Sequence, residues 1–222
     1  IYSFTLNCGI MMEAGAHNIL IPNPRDIPGF VKELQKQKFS AFIGLNTLFV
    51  ALCNNEEFQD LDFSGLKLTA SGGMALTSDT AKMWQRVTGC EISEGYGMTE
   101  TSPVVTVNPH SAVQIGTIGL PIPSTVVKTI DDEGNETPLG EPGELCVKGP
   151  QVMRGYWQRP EDTRKSFTED GFLRTGDVAL IQEDGYIRIV DRKKDMIIVS
   201  GFNVFPNEVE DVVSGHPDVV EC

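Results

Sequence analysis

The fold is decided by residues 66–100, which read LKLTASGGMALTSDTAKMWQRVTGCEISEGYGMTE. The short apolar run from Leu66 to Ala70 predicts a buried strand, and the glycines that follow it predict a tight loop. Thr77 or Ser78 supplies the side-chain oxygen that begins a helix, and a second strand is predicted over Cys90 to Ser93. A strand, a loop, a helix and a strand in this order form the repeating unit of a parallel α/β layer.

The same alternation extends toward the N-terminus. Asp26 is predicted to cap a helix that has Pro28 in its first turn, and strands are predicted over Asn18 to Ile21 and Ser40 to Gly44. The helix that follows residue 77 has an apolar stripe, which consists of Ala81, Trp84 and either Val87 or Thr88. Residues 1–110 are therefore expected to form a partial α/β subdomain with a largely parallel sheet.

Beyond about residue 111 the pattern changes to short β-branched runs broken by Gly, Pro and Asp turns. Hairpin strands are predicted over residues 126–130, 144–148, 178–182 and 186–190, which indicates a small barrel or a bent sheet over residues 111–191. After a charged turn, a strand over Met196 to Val199 and a helix opened by Pro206 begin a further segment, residues 192–222. This segment is too short to bury its own apolar face, so it is expected to be the truncated start of another domain.

Composition excludes several classes of protein. The chain has 18 Lys and Arg against 31 Asp and Glu, a net charge of −13, which repels nucleic acid and anionic surfaces. No apolar run reaches the roughly 18 residues of a transmembrane helix. The five cysteines form no C-x-x-C pair and the three histidines lack metal-ligand spacing, so reduced thiols in a cytoplasmic protein without zinc are expected.

Two loops that follow predicted strands are candidate binding sites: Ser71-Gly72-Gly73-Met74, and the segment from Gly95 to Glu100. Ligands of open α/β sheets bind outside the carboxyl ends of the strands, and glycines let backbone amides approach them closely. Tyr96 offers a flat ring, Thr99 a hydroxyl, and Glu100 a hard oxygen suited to Mg²⁺. Either motif alone is more typical of an ordinary turn than of a binding site.

Two further segments carry charge suited to a nucleotide. Asp177 follows the turn Arg174-Thr175-Gly176, where a carboxylate could accept two ribose hydroxyls. Arg192-Lys193-Lys194 is the densest basic cluster of the sequence. Taken singly, the first is typical of turn chemistry and the second of a solvated hairpin tip.

In order and spacing, these four segments resemble the adenylate-forming superfamily of acyl-CoA synthetases, luciferases and peptide-synthetase adenylation domains. Residues 94–100 look like its adenine and magnesium motif, and residues 174–177 look like its ribose motif. Residues 191–195, followed by Ser200-Gly201 and Pro206 to Glu210, look like its hinge and the opening of its mobile α+β C-terminal domain. The run from Asp170 through Pro206 is similar to the fatty acyl-CoA synthetase signature, and residues 23–28 are similar to bacterial long-chain members.

The resemblance implies a reaction in which ATP converts a fatty acid to an acyl-adenylate, and coenzyme A then displaces AMP. Tyr96 would stack on adenine, while Gly72 and Gly73 would pass along the adenine and the acyl carbonyl. Thr99 would bind phosphate oxygens, Glu100 would hold Mg²⁺, Asp177 would accept the ribose hydroxyls, and Arg192 would bind ribose or phosphate. Lys194 matches the hinge of the family, and Gly201 matches the glycine that lines its channel for coenzyme A.

Two elements of the family have no counterpart in the sequence. Its Ser, Thr and Gly-rich phosphate loop should lie upstream of Ile1, and its catalytic lysine should lie beyond Cys222. The chain is therefore expected to be an internal fragment that does not adenylate fatty acids by itself. A non-catalytic AMP- or acyl-adenylate-binding module, and an aryl or medium-chain acid:CoA ligase, are the alternatives. Acyl chain length, assembly into a homo-oligomer and peripheral contact with the inner membrane stay open.

Overall fold

A computed structural model describes residues 2–199, 202–216 and 219 of the 222-residue chain. The chain forms two compact units. The first contains the residues up to Tyr96 together with Asn108–Ile115, and the second contains Gly97–Val107 together with the residues from Gly116 onward.

The first unit is built on three parallel strands, β1 (Ala41–Gly44), β2 (Leu68–Ser71) and β3 (Ile92–Gly97). β2 is the middle one of these three strands, because it pairs with β1 on one side and with β3 on the other. The helices of this unit are α1 (Ile27–Gln35), α2 (Asn46–Cys53), α3 (Glu56–Gln59) and α4 (Ser78–Thr88). The predicted parallel α/β layer is confirmed.

Local sequence signals explain where two of these helices begin. The Asp26 carboxylate accepts a hydrogen bond from the Gly29 amide (3.1 Å), and Pro28 lies in the first turn of α1. The Thr77 hydroxyl accepts one from the Thr80 amide (3.3 Å) at the start of α4. Both predicted caps are therefore confirmed, and each satisfies an amide that the helix itself leaves unpaired.

Trp84 is the centre of the core of the first unit. It is fully buried, and its ring centroid lies 4.7 Å from that of Phe49, 5.1 Å from that of Phe42 and 5.6 Å from that of Phe58. Its indole Nε1 donates to the Thr69 hydroxyl on β2 (3.0 Å), so the one polar atom of the ring is also satisfied. Helix α4 is thereby fixed on the sheet by the apolar stripe that its sequence predicts.

The predicted strand over Asn18 to Ile21 is wrong. These residues have no regular secondary structure, and the side chain of Leu20 is 80 % exposed. A strand exists only through hydrogen bonds to a neighbouring strand, and the β-branched and apolar character of a four-residue run does not supply that neighbour.

Nearer the N-terminus, Phe4–Met11 forms a π-helical segment. None of the helices in the described ranges is long and apolar enough to cross a bilayer.

The second unit is mainly antiparallel. Its strands are β4 (Val104–Val107), β5 (Leu120–Pro121), β6 (Val126–Ile130), β7 (Gly143–Lys148), β8 (Leu173–Ile181), β9 (Ile187–Arg192), β10 (Ile197–Val199) and β11 (Phe202–Val204). Its helices are α5 (Pro160–Lys165) and α6 (Pro206–Ser214). β6 to β9 form one sheet in chain order, and β10 and β11 pair with each other in antiparallel orientation.

The four predicted hairpin strands are confirmed as β6, β7, the second half of β8, and β9. Within the described part of the chain they form an open, bulged sheet and not a closed barrel, with irregularities between Glu144 and Cys146 and between Val178 and Ala179. The buried face of this sheet is aliphatic and includes Ile130, Leu145, Leu173 and Ile187.

Candidate functional site

The candidate residues that the sequence predicts lie in both compact units. Gly72, Gly73 and Tyr96 belong to the first unit, whereas Thr99, Glu100, Asp177, Arg192 and Lys194 belong to the second. Gly201 lies outside the described residues.

The glycine loop joins β2 to α4 in the first unit. A Cβ atom at Gly72 would lie 3.1 Å from the ring of Tyr2 and 3.2 Å from the carbonyl oxygen of Gly95, closer than most Cβ contacts allow. Gly73 has a φ of +86°, a left-handed conformation that side chains disfavour. The loop therefore exposes backbone where other residue types would project a side chain.

The loop is fixed at its far end by Glu94, the first residue of the 94–100 motif, to which the sequence analysis assigned no role of its own. This buried side chain lies on β3, and its Oε1 accepts a hydrogen bond from the Leu76 amide (3.3 Å). Burial raises the pKa of the Glu94 carboxyl to about 8, although the hydrogen bond from Leu76 opposes the rise. The carbonyl oxygen of Glu94 accepts from the Asn108 amide (2.8 Å). Tyr96, partly exposed, follows two residues later on β3.

An open groove of about 370 Å³ lies beside the glycine loop. Its walls are mainly apolar and are formed by Tyr2, Ser3, Phe4, Ile43, Gly44, Leu45, Leu48 and Gly73. The Tyr2 hydroxyl is buried and has no hydrogen-bond partner among the described residues, and burial raises its pKa well above the usual value. Such a groove suits the apolar part of a ligand whose polar end reaches the glycine loop.

In the second unit, Thr99–Thr101 forms a single 3₁₀ turn. The Met98 amide donates to the hydroxyl of Thr101 (3.1 Å) and to the carbonyl oxygen of Pro103 (2.9 Å). A Cβ atom at Gly97 would overlap that same carbonyl oxygen. The glycine of the motif is thus required for the close turn that presents Thr99 and Glu100.

The Glu100 carboxylate is held by a distant tyrosine. The hydroxyl of Tyr156 donates to Glu100 Oε1 (2.7 Å), and the main-chain amide of Met153 donates to the carbonyl oxygen of Glu100 (2.7 Å). The hydrogen bond to Glu100 raises the pKa of Tyr156, because a phenolate beside a carboxylate would be repelled. No sequence signal indicates this pair, because its members are 56 positions apart.

The chemistry of this turn fits Mg²⁺. No three His, Cys, Asp or Glu side chains of the described ranges form a metal-binding cluster. Mg²⁺ in nucleotide sites needs no such cluster, since it is held by one or two carboxylates together with phosphate oxygens and water. The Glu100 carboxylate and the Thr99 hydroxyl supply only hard oxygens, as this ion prefers.

Asp177 and Arg192 are brought together by the sheet. They are directly opposite on β8 and β9, and the Arg192 Nε lies 3.7 Å from Asp177 Oδ1. The Asp177 amide donates to the hydroxyl of Thr175 (3.1 Å), and Gly176 between them has a φ of +76°. Two segments that are fifteen residues apart in sequence therefore place a carboxylate beside a guanidinium.

Behind this pair lies an ion network that the sequence analysis missed. The buried Glu144 carboxylate accepts from Arg174 Nη2 (2.6 Å) and lies 3.3 Å from Lys193 Nζ, which also contacts Asp132 (2.8 Å). Burial alone would raise the pKa of Glu144, but the hydrogen bond and charge of Arg174, with those of Lys193, outweigh burial and lower it. A carboxylate within the apolar run of β7 was the signal that could have revealed this network.

A second buried carboxylate, that of Asp191, lies beside the basic turn Arg192-Lys193-Lys194. Asp191 accepts hydrogen bonds from the Arg192 amide (2.7 Å) and, with its other oxygen, from the Asn207 amide at the start of α6 (3.2 Å). Lys194, at the centre of the turn, is exposed. Asp191 thus links the end of β9 to the helix that follows the turn.

Comparison with known proteins identifies the family of this chain. The family model described as AMP-binding enzyme matches residues 1–157. The chain belongs to the AMP-binding enzyme family. Its glycine loop, its 3₁₀ turn with Glu100 and the segment of Tyr156 all lie within the matched range.

The family members that match it include bacterial enzymes named long-chain-fatty-acid–CoA ligase. The one from Salmonella typhimurium is 59 % identical over 222 residues, which is 100 % of this chain and 39 % of that protein. The chain thus spans about two fifths of the length of this curated relative.

Solved structures of family members have the same fold. ATP-bound MatB from Rhodopseudomonas palustris superposes with a TM-score of 0.88 at 33 % identity, covering 99 % of this chain and 44 % of that one. The anthranilate CoA ligase AuaEII in complex with anthranoyl-AMP gives a TM-score of 0.87 at 31 % identity, covering 94 % of this chain and 40 % of that one. The expected α/β fold class is confirmed.

Proposed function

We propose that this chain is a segment of an ATP-dependent long-chain fatty acid:CoA ligase. The observation that carries the proposal is the 59 % identity over the whole chain to a long-chain-fatty-acid–CoA ligase, well above the 31 % identity to an anthranilate ligase. The mainly apolar groove beside the glycine loop supports it, because a fatty acid needs an apolar wall next to the loop that holds its carboxylate.

In the first unit, Tyr96 stacks on the adenine ring. Gly72 and Gly73 pass their backbone along the adenine and the acyl carbonyl, which is consistent with the close approach of this loop to Tyr2 and Gly95. The buried Glu94 holds the end of the loop through the Leu76 amide. The loop is therefore fixed before the ligand arrives, which lowers the entropic cost of binding.

In the second unit, Thr99 and Glu100 act on the phosphates. Glu100 would hold Mg²⁺, which when bound offsets negative charge on the phosphate oxygens. Thr99 donates its hydroxyl to a phosphate oxygen. Asp177 accepts the two ribose hydroxyls, and Arg192, which already lies beside it, binds ribose or phosphate with its planar guanidinium.

Lys194 serves as the hinge about which the segment from residue 192 moves between adenylation and thioester formation, and Gly201 lines the path of coenzyme A. The exposed position of Lys194 in a turn between two strands supports a hinge role. We accordingly divide the chain functionally into residues 1–110, 111–191 and 192–222. We place the protein in the cytoplasm, with peripheral contact to the inner membrane and self-association as further features of the proposal.

The test uses the complete reading frame that encodes the chain. The purified product should form acyl-CoA from palmitate, ATP and coenzyme A, with kcat/KM at least tenfold above that for octanoate or benzoate. Glu100→Ala should lower kcat by roughly a hundredfold or more, since a group that stabilises transition-state charge is typically worth that much. The 222-residue chain alone should exchange no labelled pyrophosphate into ATP above its own Glu100→Ala variant.

The aryl or medium-chain ligase is the second candidate, favoured by the match to a structure that holds anthranoyl-AMP. A preference for benzoate or octanoate over palmitate would support it and contradict the long-chain assignment. Binding of an acyl-adenylate without any turnover of the complete protein would instead identify a non-catalytic module.

A further inference from the structure

One segment of the second unit, which contains Gln151, Met153 and Tyr156, lies against the 3₁₀ turn and the start of β4 through three hydrogen bonds. Gln151 Nε2 donates to the carbonyl oxygen of Val104 (3.2 Å), and the Met153 amide donates to the carbonyl oxygen of Glu100 (2.7 Å). The third bond, from the Tyr156 hydroxyl to Glu100 Oε1 (2.7 Å), is the only one of the three that reaches a side chain of the turn. The segment therefore fixes both the path of the turn and the direction of one carboxylate.

The backbone of Tyr156 is itself held by hydrogen bonds to the segment that follows it. Its main-chain amide donates to the hydroxyl of Thr163 on α5 (2.9 Å), and that hydroxyl donates to the carbonyl oxygen of Arg159 (2.8 Å). These bonds fix the backbone from which the phenol ring projects, so that the hydroxyl of Tyr156 has few alternative positions. A donor fixed in this way orients its acceptor at a smaller entropic cost than a freely rotating one.

The contact occupies one oxygen of Glu100 and leaves the other available. Oε1 accepts the Tyr156 hydroxyl, so this bond does not engage Oε2. A carboxylate that ligates a metal through one oxygen is commonly oriented by a hydrogen bond to the other. The geometry is therefore that of a metal ligand with its supporting donor already in place.

We propose that Tyr156 is a positioning residue that orients the Glu100 carboxylate for Mg²⁺. The inference rests on the proposed function, which makes Glu100 the metal ligand. Tyr156 donates its hydroxyl to Oε1 and so limits the Glu100 side chain to few rotamers. Oε2 then points to the ion, and less side-chain entropy is lost when the metal binds. Its role is confined to that one hydroxyl, because the main-chain bond from Met153 holds the turn independently.

The experiment measures metal binding rather than turnover. The complete protein is saturated with α,β-methylene-ATP, and bound Mn²⁺, as a spectroscopic probe for Mg²⁺, is followed by electron paramagnetic resonance. Tyr156→Phe removes only the hydroxyl. It should weaken Mn²⁺ binding about tenfold, the lower end of the usual range for a residue that orients a metal ligand, because Tyr156 is 40 % exposed. The affinity for the nucleotide without metal should not change.

Three matched variants make the outcome specific. Trp157→Phe changes the adjacent side chain, which is 87 % exposed, and should bind Mn²⁺ as the unaltered protein does. Glu100→Gln should weaken Mn²⁺ binding at least as much as Tyr156→Phe. The double variant should bind no more weakly than Glu100→Gln alone, because Tyr156 acts only through Glu100.

The results separate failure of this inference from failure of the proposed function. If Glu100→Gln loses Mn²⁺ and Tyr156→Phe retains it, Glu100 is the ligand and the role of Tyr156 is refuted. If both retain it, the proposed role of Glu100 fails as well. Weaker nucleotide binding by Tyr156→Phe without metal, or a further loss in the double variant, would show a general structural role and would overturn the inference.

Discussion

The first unit has an aromatic core, in which Trp84 contacts Phe42, Phe49 and Phe58, whereas the largest fully buried side chains of the second unit are aliphatic and lie near a buried carboxylate, Glu144. The stability of an aromatic core depends on the fit of large rings, and a cavity there is costly. The stability of a buried carboxylate depends on the partners that keep it charged. The two units should therefore respond to different perturbations.

Each unit contains a buried cysteine whose reactivity can report the unfolding of that unit. Cys53 lies on α2 in the first unit and Cys146 lies on β7 in the second, and burial raises the pKa of each thiol to about 11. Because the thiolate is the reactive form, both should resist alkylation at pH 8 until the surrounding structure opens. Pulsed labelling across a urea series, read by mass spectrometry, then gives a separate midpoint for each unit.

The largest expected effect is that of Trp84→Ala. Removing this fully buried ring should lower the free energy of unfolding of the first unit by about 3–5 kcal/mol, because the neighbouring rings cannot collapse into the space. Cys53 should become reactive at a lower urea concentration while Cys146 keeps its midpoint. Equal shifts at both cysteines would contradict the separate cores.

Glu144→Gln should have a smaller effect, confined to the second unit. Loss of the charged hydrogen bonds with Arg174 and Lys193 should cost about 2 kcal/mol, so that the midpoint of Cys146 falls and that of Cys53 does not. The shape of the side chain is preserved, so no cavity forms.

The same variant should change the dependence of stability on pH. The pKa of Glu144 is lowered in the folded chain, so its contribution is complete above the unfolded value of 4.5 and is lost as the pH falls through the lower folded value. In the second unit, stability should therefore fall less steeply below about pH 4.5 for Glu144→Gln than for the unaltered chain. Parallel curves would show that Arg174 and Lys193 do not hold Glu144 charged.

Thr77→Ala should have the smallest of these effects. Loss of the cap of α4 should cost about 1 kcal/mol and should lower only the Cys53 midpoint. Thr77→Ser keeps the oxygen that accepts from the Thr80 amide and serves as the control. If the serine variant lost as much as the alanine variant, packing of the Thr77 methyl group, and not the cap, would be responsible.

Features with a local cause could be predicted from sequence. Asp26 and Thr77 predict the starts of their helices, because a capping side chain contacts an amide within three residues of itself. Trp84 lies on an apolar stripe that has the period of a helix. Gly97 is constrained by the carbonyl oxygen of Pro103, which is only six positions further along the chain. For the two caps and for Gly97, the contacting groups lie within six positions in the sequence. For Trp84 only the placement on the buried face of the helix is local, because the rings that surround it come from distant parts of the chain.

Features that depend on distant partners could not be predicted. Helix α2 is apolar on all sides from Leu48 to Cys53, so it shows no helical period, although its Phe49 and Leu52 are fully buried. The Tyr156 and Glu100 pair and the Glu144 and Arg174 pair join residues 56 and 30 positions apart. The candidate ligand-binding residues were found through the resemblance of whole motifs, whereas the residues that position them became visible only in the structure.

The most direct test of the account is calorimetric titration of the chain with a non-hydrolysable palmitoyl-adenylate analogue, beside a Tyr96→Ala, Asp177→Ala double variant. We expect the chain to bind the analogue and the double variant to lose at least a hundredfold in affinity, because stacking on adenine and the hydrogen bonds to ribose would both be removed. Equal binding by both proteins, or no binding by a chain whose Cys53 and Cys146 are protected from alkylation, would contradict the proposal that this chain carries an adenylate-binding surface.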